Sequence, residues 1–150
     1  METDSNAHLN QWKHNRDFLA SISAEYPDWI VTVAFYTALY AVDALLSADK
    51  IRSITSHNAR NYVLMHTNRY KAINKAYHPL YGLSRTVRYL AKPAKWVPSD
   101  KIKADVFDRY LHRIEQSVWK LLDKGDPPEP IATPSPKVGQ EQPHNFAKQS

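Results

Sequence analysis

An all-α fold, a bundle of four or five helices running up and down with a disordered C-terminal tail, is what this 150-residue sequence predicts. Three observations lead there. Gly82 is the single glycine before Gly125, and apolar residues over that stretch recur every three or four positions, the spacing of a helix face rather than the alternation of a strand. The segment Ala34 to Leu46 is apolar nearly all round, which marks a helix at the centre of a core. Cysteine is absent, so packing rather than disulfides has to supply stability, and thiolate zinc sites and thiol catalysis are excluded together.

The first helix is expected from about Asn6 to Tyr26, with Leu9, Trp12, Leu19, Ile22 and Tyr26 on one stripe and Lys13, Arg16 and Asp17 towards water. Pro27 suits the first turn of a second helix, about Pro27 to Ala48, which carries apolar side chains on every face and needs neighbours or a second copy of the chain to cover it. After a polar connector over Asp49 to Thr55, Ser56 is placed to cap a third helix. From there Ala59, Val63, His66, Tyr70, Ile73, Tyr77 and Leu80 alternate spacings of four and three, a packing seam that Pro79 should break into two helices. Lys92 to Pro98 reads as a loop, and Ser99 caps a last helix to about Asp123. Its Ile102, Val106, Tyr110, Ile114, Val118 and Leu121 form a stripe closed by Gly125. Residues 1–125 therefore form one helical domain. Residues 126–150 hold six of the ten prolines and hardly any large apolar side chains, too few to offset the entropy of ordering, and read as a flexible tail ordered only against a partner.

The start, Met1 to Asn6, is polar and acidic and lacks the basic and apolar regions of a secretion signal, so a cytoplasmic protein is expected. Trp29 to Ala48 is long enough to span a bilayer, but Asp43 within it, its mid-segment rings and the amphipathic partner stretches favour the centre of a soluble bundle, with no membrane contact. A formal charge of +5 favours polyanionic partners without demanding them.

Two groups of residues could meet an anion. His57, Arg60 and Asn61 share one face of the first turns of the third helix, where free amides and the positive dipole end favour a phosphate. The alternative is that Ser56 and His57 only organise the helix start while Arg60 is solvated. Arg85 and Arg88 share a face with Lys92, and Tyr81 and Tyr89 offer rings for base stacking, a combination suited to single-stranded RNA. Alternatively one of these two arginines serves Asp43, because an acid among apolar residues needs a partner, and leaves the other free. His8 and His14 are not one turn apart and no His-Glu-x-x-His occurs, so no metal is expected; no phosphate-cradling glycine loop or Gly-x-Ser-x-Gly turn exists, so neither a cofactor nor a serine hydrolase is expected. In the last helix Arg109, His112, Arg113 and Lys120 are diluted by Asp105, Asp108 and Glu115 to a solvated face.

Phe35-Tyr36 and Tyr40, then Ser56-His57, then Tyr77, Leu80, Leu83, Arg85 and Tyr89 follow one another in an order that resembles the HEPN helical domains, over about Trp29 to Leu90. That superfamily is tied to RNA cleavage, nucleotide handling and microbial toxin or defence systems. The resemblance implies a homodimer that binds RNA, with a protein partner of antitoxin or nucleotidyltransferase-like kind. Ribonuclease members use an Arg, an adjacent polar residue and a following His, without metal, the two copies facing each other across a cleft. Guanidinium holds the phosphate while imidazole moves a proton near neutral pH. Arg60-Asn61 followed by His66 has that wording, whereas the segment Ser84 to Leu90, where the motif usually lies, offers Arg85, Arg88 and Tyr89 but no histidine. Arg60 and His66 stand about 120° apart on a regular helix and would converge across a dimer axis or through a distorted turn. His66 also belongs to the packing seam, where a histidine is ordinarily a core residue. The expectation is an RNA-binding protein. If it cleaves, it is a metal-independent endoribonuclease using Arg60, Asn61 and His66 or His57, with His57, Arg60, Arg85, Arg88 and Tyr89 holding the nucleic acid. The alternative is a non-catalytic homodimeric protein-interaction module.

Overall fold

A computed structural model describes residues 4–52, 54–89 and 98–135. Five helices build a bundle: α1 (Asp4–Ser21), α2 (Pro27–Ala48), α3 (His57–His66), α4 (Lys71–Tyr89) and α5, which is continuous through Ser99–Lys101, Ile102–His112 and Arg113–Leu122. A short 3-10 turn, Asn68–Tyr70, joins α3 to α4, and no strand occurs among the described residues. The loop expected over Lys92 to Pro98, apart from Pro98 itself, the placement of Lys92 beside the two arginines, the capping side chain of Ser99 and the tail beyond Ser135 lie outside the described residues.

α2 begins at Pro27 as expected, since proline at a first helical turn gives up an amide that has no partner there. Thirteen of its 22 residues are buried, and α1, α4 and α5 of the same chain supply the cover, with α1 packed along it most extensively. α2 is long and apolar enough to cross a membrane, and two thirds of its most apolar stretch is buried inside the bundle. It ends in a hydrogen-bonded reversal: Ile51 N donates to Leu46 O and Lys50 N to Ser47 O, with Lys50 in the left-handed region at φ 63°. Glycine adopts that conformation without strain, so Lys50→Gly is expected to stabilise the protein by about 0.5 to 1 kcal/mol. A urea midpoint that does not rise would contradict this.

Two helix boundaries differ from expectation. α1 stops at Ser21 rather than Tyr26, because Ile22 N and Tyr26 N turn back to Leu19 O and Ser23 O and set up the corner before α2. The break in the third segment falls at Thr67, extended at φ −111° and ψ 118°, and not at Pro79, which sits inside α4. Proline there strips a donor from the carbonyl of Lys75, an exposed residue, so the missing bond is not an internal one. The break also takes His66 off the seam: Tyr70, Ile73, Tyr77 and Leu80 are buried, while His66 is exposed and stacked on Tyr62 at 4.1 Å.

In α5 the stretch Ile102–His112 winds as a π-helix, with each amide reaching one residue further back than in an α-helix. Buried positions accordingly fall at Ile102, Val106, Phe107 and Leu111, and Tyr110 leaves the expected stripe. Glu115 is fully buried, accepting from Trp12 Nε1 at 2.8 Å and Arg16 Nε at 2.9 Å. Arg16 reaches on to the carbonyl of Glu129, Lys103 Nζ donates to Ile131 O at 3.0 Å, and Ser135 exchanges bonds with Ala20 and Ala24. Residues 126–135 thus lie against α1 and α5, a correction to the expected start of the free tail: charged side chains capture its carbonyls where apolar residues are scarce.

Candidate nucleic-acid interface

Where α2, the start of α3 and the second half of α4 meet, aromatic rings and guanidinium groups are interleaved. Ser56 caps α3 as expected, its Oγ accepting from Ala59 N at 3.1 Å, and this places His57 over α2. Phe35 forms the floor. Its ring centroid lies 5.3 Å from Tyr36, 5.7 Å from His57, 5.6 Å from Tyr77 and 5.7 Å from Tyr81. One turn after Ser84 on α4, Arg88 lies over the rings of Phe35, Tyr36 and Tyr89 at 5.4, 5.4 and 4.9 Å. Its Nη1 donates to Tyr36 Oη at 2.8 Å, whereas its Nη2 is buried and has no acceptor. Arg85 is exposed and stands over Tyr81 and Tyr89 at 5.9 and 5.8 Å.

Neither Arg85 nor Arg88 makes an ion pair among the described residues. Ring faces attract a guanidinium by about 0.5 to 2 kcal/mol each without occupying its N–H donors. In Arg88, Nε donates to Ser84 O at 3.3 Å and Nη1 to Tyr36, so Nη2 alone is left without an acceptor. Cations held by rings and lacking a carboxylate are what a phosphate with stacked bases requires.

Asp43 does not take Arg85 or Arg88, the arginines expected for it. Arg60 takes it instead, with Nε to Oδ1 at 2.7 Å and Nη2 to Oδ2 at 3.0 Å, and only 6% of Arg60 remains exposed. Burial works against the Arg60 charge, yet the hydrogen bonds and charge of Asp43 outweigh it and hold the guanidinium above its ordinary range. The alternative in which Arg60 is solvated is thereby corrected, because Arg60 faces inward from the first turn of α3 and reaches Asp43 of α2. Burial, reinforced by the positive charges of Arg60 and Arg88, pushes His57 below its ordinary value, so its imidazole is neutral at pH 7 and can accept a proton.

The structure therefore gathers His57, Arg85, Arg88 and Tyr89 into one region and adds Tyr36 and Tyr81 around them. Arg60 lies in the packed layer beside it, Asn61 is half-buried next to Arg60 in the chain, and His66 stands exposed at the far end of α3. Tyr36 was not legible as a site residue, since its bond with Arg88 spans 52 positions that no local pattern connects. No group of metal-ligating side chains occurs among the described residues. No protein-family model matches the chain, and no curated protein or solved structure matches it.

Proposed function

We propose that this protein binds single-stranded RNA through the face formed by His57, Tyr36, Tyr81, Arg85, Arg88 and Tyr89, as a HEPN-like homodimer of a cytoplasmic toxin, antitoxin or defence system. One observation carries the reading: Arg88 is a half-buried cation without a carboxylate, clamped between rings, with one nitrogen lacking an acceptor. A phosphate oxygen meets the exposed guanidinium of Arg85 directly and supplies the missing acceptor of Arg88 once the covering rings shift to admit it, and Tyr89, two thirds exposed, offers a ring face to a base. Binding is favoured over cleavage, because the guanidinium of Arg60 is already engaged by Asp43 and His66 stands apart from the arginine-rich face.

The test is fluorescence anisotropy of a labelled oligouridylate titrated with wild-type protein and with Arg88→Gln. Removing one charge-assisted hydrogen-bonding group should weaken binding by about 10- to 100-fold. Equal affinity of the two proteins would remove the proposed face. The second reading, a homodimeric protein-interaction module, draws on the exposed Phe18, Tyr26 and Trp29 around the α1–α2 corner. It predicts no RNA binding at low salt, whereas a phosphate-reading surface must bind there and lose affinity steeply as salt rises.

A further inference from the structure

On the face of the bundle where α4 and α5 run side by side, two adjoining clefts of about 570 and 790 Å³ share Ala72, Lys75 and Ser117 and form one furrow. Lys71, Lys75, Arg109, Arg113 and Lys120 project along it, and all five are exposed. None of the five makes an ion pair among the described residues, and no carboxylate lines either cleft. Small apolar residues, Ala72, Ala76 and Pro79, line the furrow on the α4 side, half-buried Tyr110 and Leu121 line it on the α5 side, and amides flank it at Asn68, Asn74 and Gln116.

Two of the three acids that dilute the charge of α5 in the sequence are engaged elsewhere by the fold, and the third, Asp105, lines neither cleft. Glu115 is turned inward to Trp12 and Arg16, and Asp108 is paired with Lys103 at 2.7 Å. The positions Arg109, Arg113 and Lys120 follow the helical repeat along one wall, and Lys71 and Lys75, one turn apart, occupy the other. From Arg109 to Lys120 the wall runs for about 16 Å, enough for several successive phosphates.

We infer that this furrow is a second nucleic-acid site, which holds the sugar–phosphate backbone of a single-stranded RNA through the five cations. Lysines and arginines on both walls track a backbone, and the amide side chains are suited to ribose hydroxyls. An acidic protein partner fits less well, because the large apolar side chains among the described residues that line the furrow, Tyr110 and Leu121, are half-buried against the core rather than free to serve as anchors. The inference rests on the reading of this protein as an RNA binder for its ligand class, but shares no residue with the Arg88 face.

The experiment measures the salt dependence of oligouridylate binding for wild type, for the furrow variant Lys75→Ala/Arg109→Ala/Arg113→Ala, for the charge-matched control Arg52→Ala/Lys101→Ala/Lys124→Ala, and for Arg88→Gln. All the furrow and control positions are exposed, so the folds should hold, which thermal melts verify. The furrow variant should bind more weakly than the control, and its plot of log affinity against log salt should be shallower than wild type by about 2, at roughly 0.7 for each phosphate no longer neutralised. An unchanged slope, or one equal to that of the control, overturns the furrow. If Arg88→Gln alone loses affinity, the furrow falls and the aromatic face stands; if the furrow variant alone loses it, the reverse holds. A wild-type protein that binds no oligouridylate at low salt overturns both.

Discussion

Asp43→Ala should cost about 3 to 5 kcal/mol of stability, because it leaves the guanidinium of Arg60 buried beneath α3 without its carboxylate. The side chains of Asp43 and Arg60 are 12% and 7% exposed, and although Asp43 borders a cleft between the start of α1 and the α2–α3 connector, little water reaches the guanidinium itself. Both bonds of the pair vanish at once, and the Tyr77 ring packed on Phe35 closes the neighbouring space. The double replacement Asp43→Leu/Arg60→Met should recover most of the stability, since apolar side chains of similar volume often match a buried ion pair. Urea unfolding of the three proteins is the measurement. Equal destabilisation in the single and double variants would show that shape rather than charge holds the two helices together here.

A loss of about 2 to 4 kcal/mol is expected for Glu115→Ala, which orphans Trp12 Nε1 and the inward edge of Arg16. The figure is set below that for Asp43 because the Arg16 side chain is 18% exposed and can regain water. Removal of residues 126–135 should be less than additive with this substitution, because Arg16 couples Glu115 to the Glu129 carbonyl. Burial raises the Glu115 carboxyl above its ordinary value, against the pull of Arg16 and Trp12. A raised carboxyl contributes most below its unfolded value of about 4.5 and loses that contribution as pH rises through the folded value. The penalty for Glu115→Ala should therefore shrink from acid towards neutral pH. A penalty that grows over this range would contradict the assigned shift.

Helix positions with clear punctuation are legible in the chain itself. Pro27 and the polar run after Ala48 delimit α2, and Ser56 marks the start of α3, because caps and prolines act on amides within one turn. The Thr67 break is hidden since Val63, His66 and Tyr70 keep helical spacing across it, and the π winding of α5 is hidden because its spacings of four and five pass for an ordinary stripe. At the candidate site, Arg85, Arg88, Tyr89 and His57 are identifiable as a basic and aromatic set. Their neighbours Tyr36 and Phe35 come from a helix about 50 positions earlier, joined to them only by packing.

Periodic burial of apolar side chains, a property of neighbours three and four apart, was enough to specify an all-α chain and the helix at its centre. Charge partnership was settled elsewhere. Asp43 met Arg60 across 17 positions, and Glu115 met Arg16 and Trp12 across 99 and 103, with the cations of α5 left alone along the α4 furrow. A side chain's repeat says which way it faces on its own helix; which opposite charge stands within 3 Å depends on how separate helices cross, and only the folded arrangement decides that.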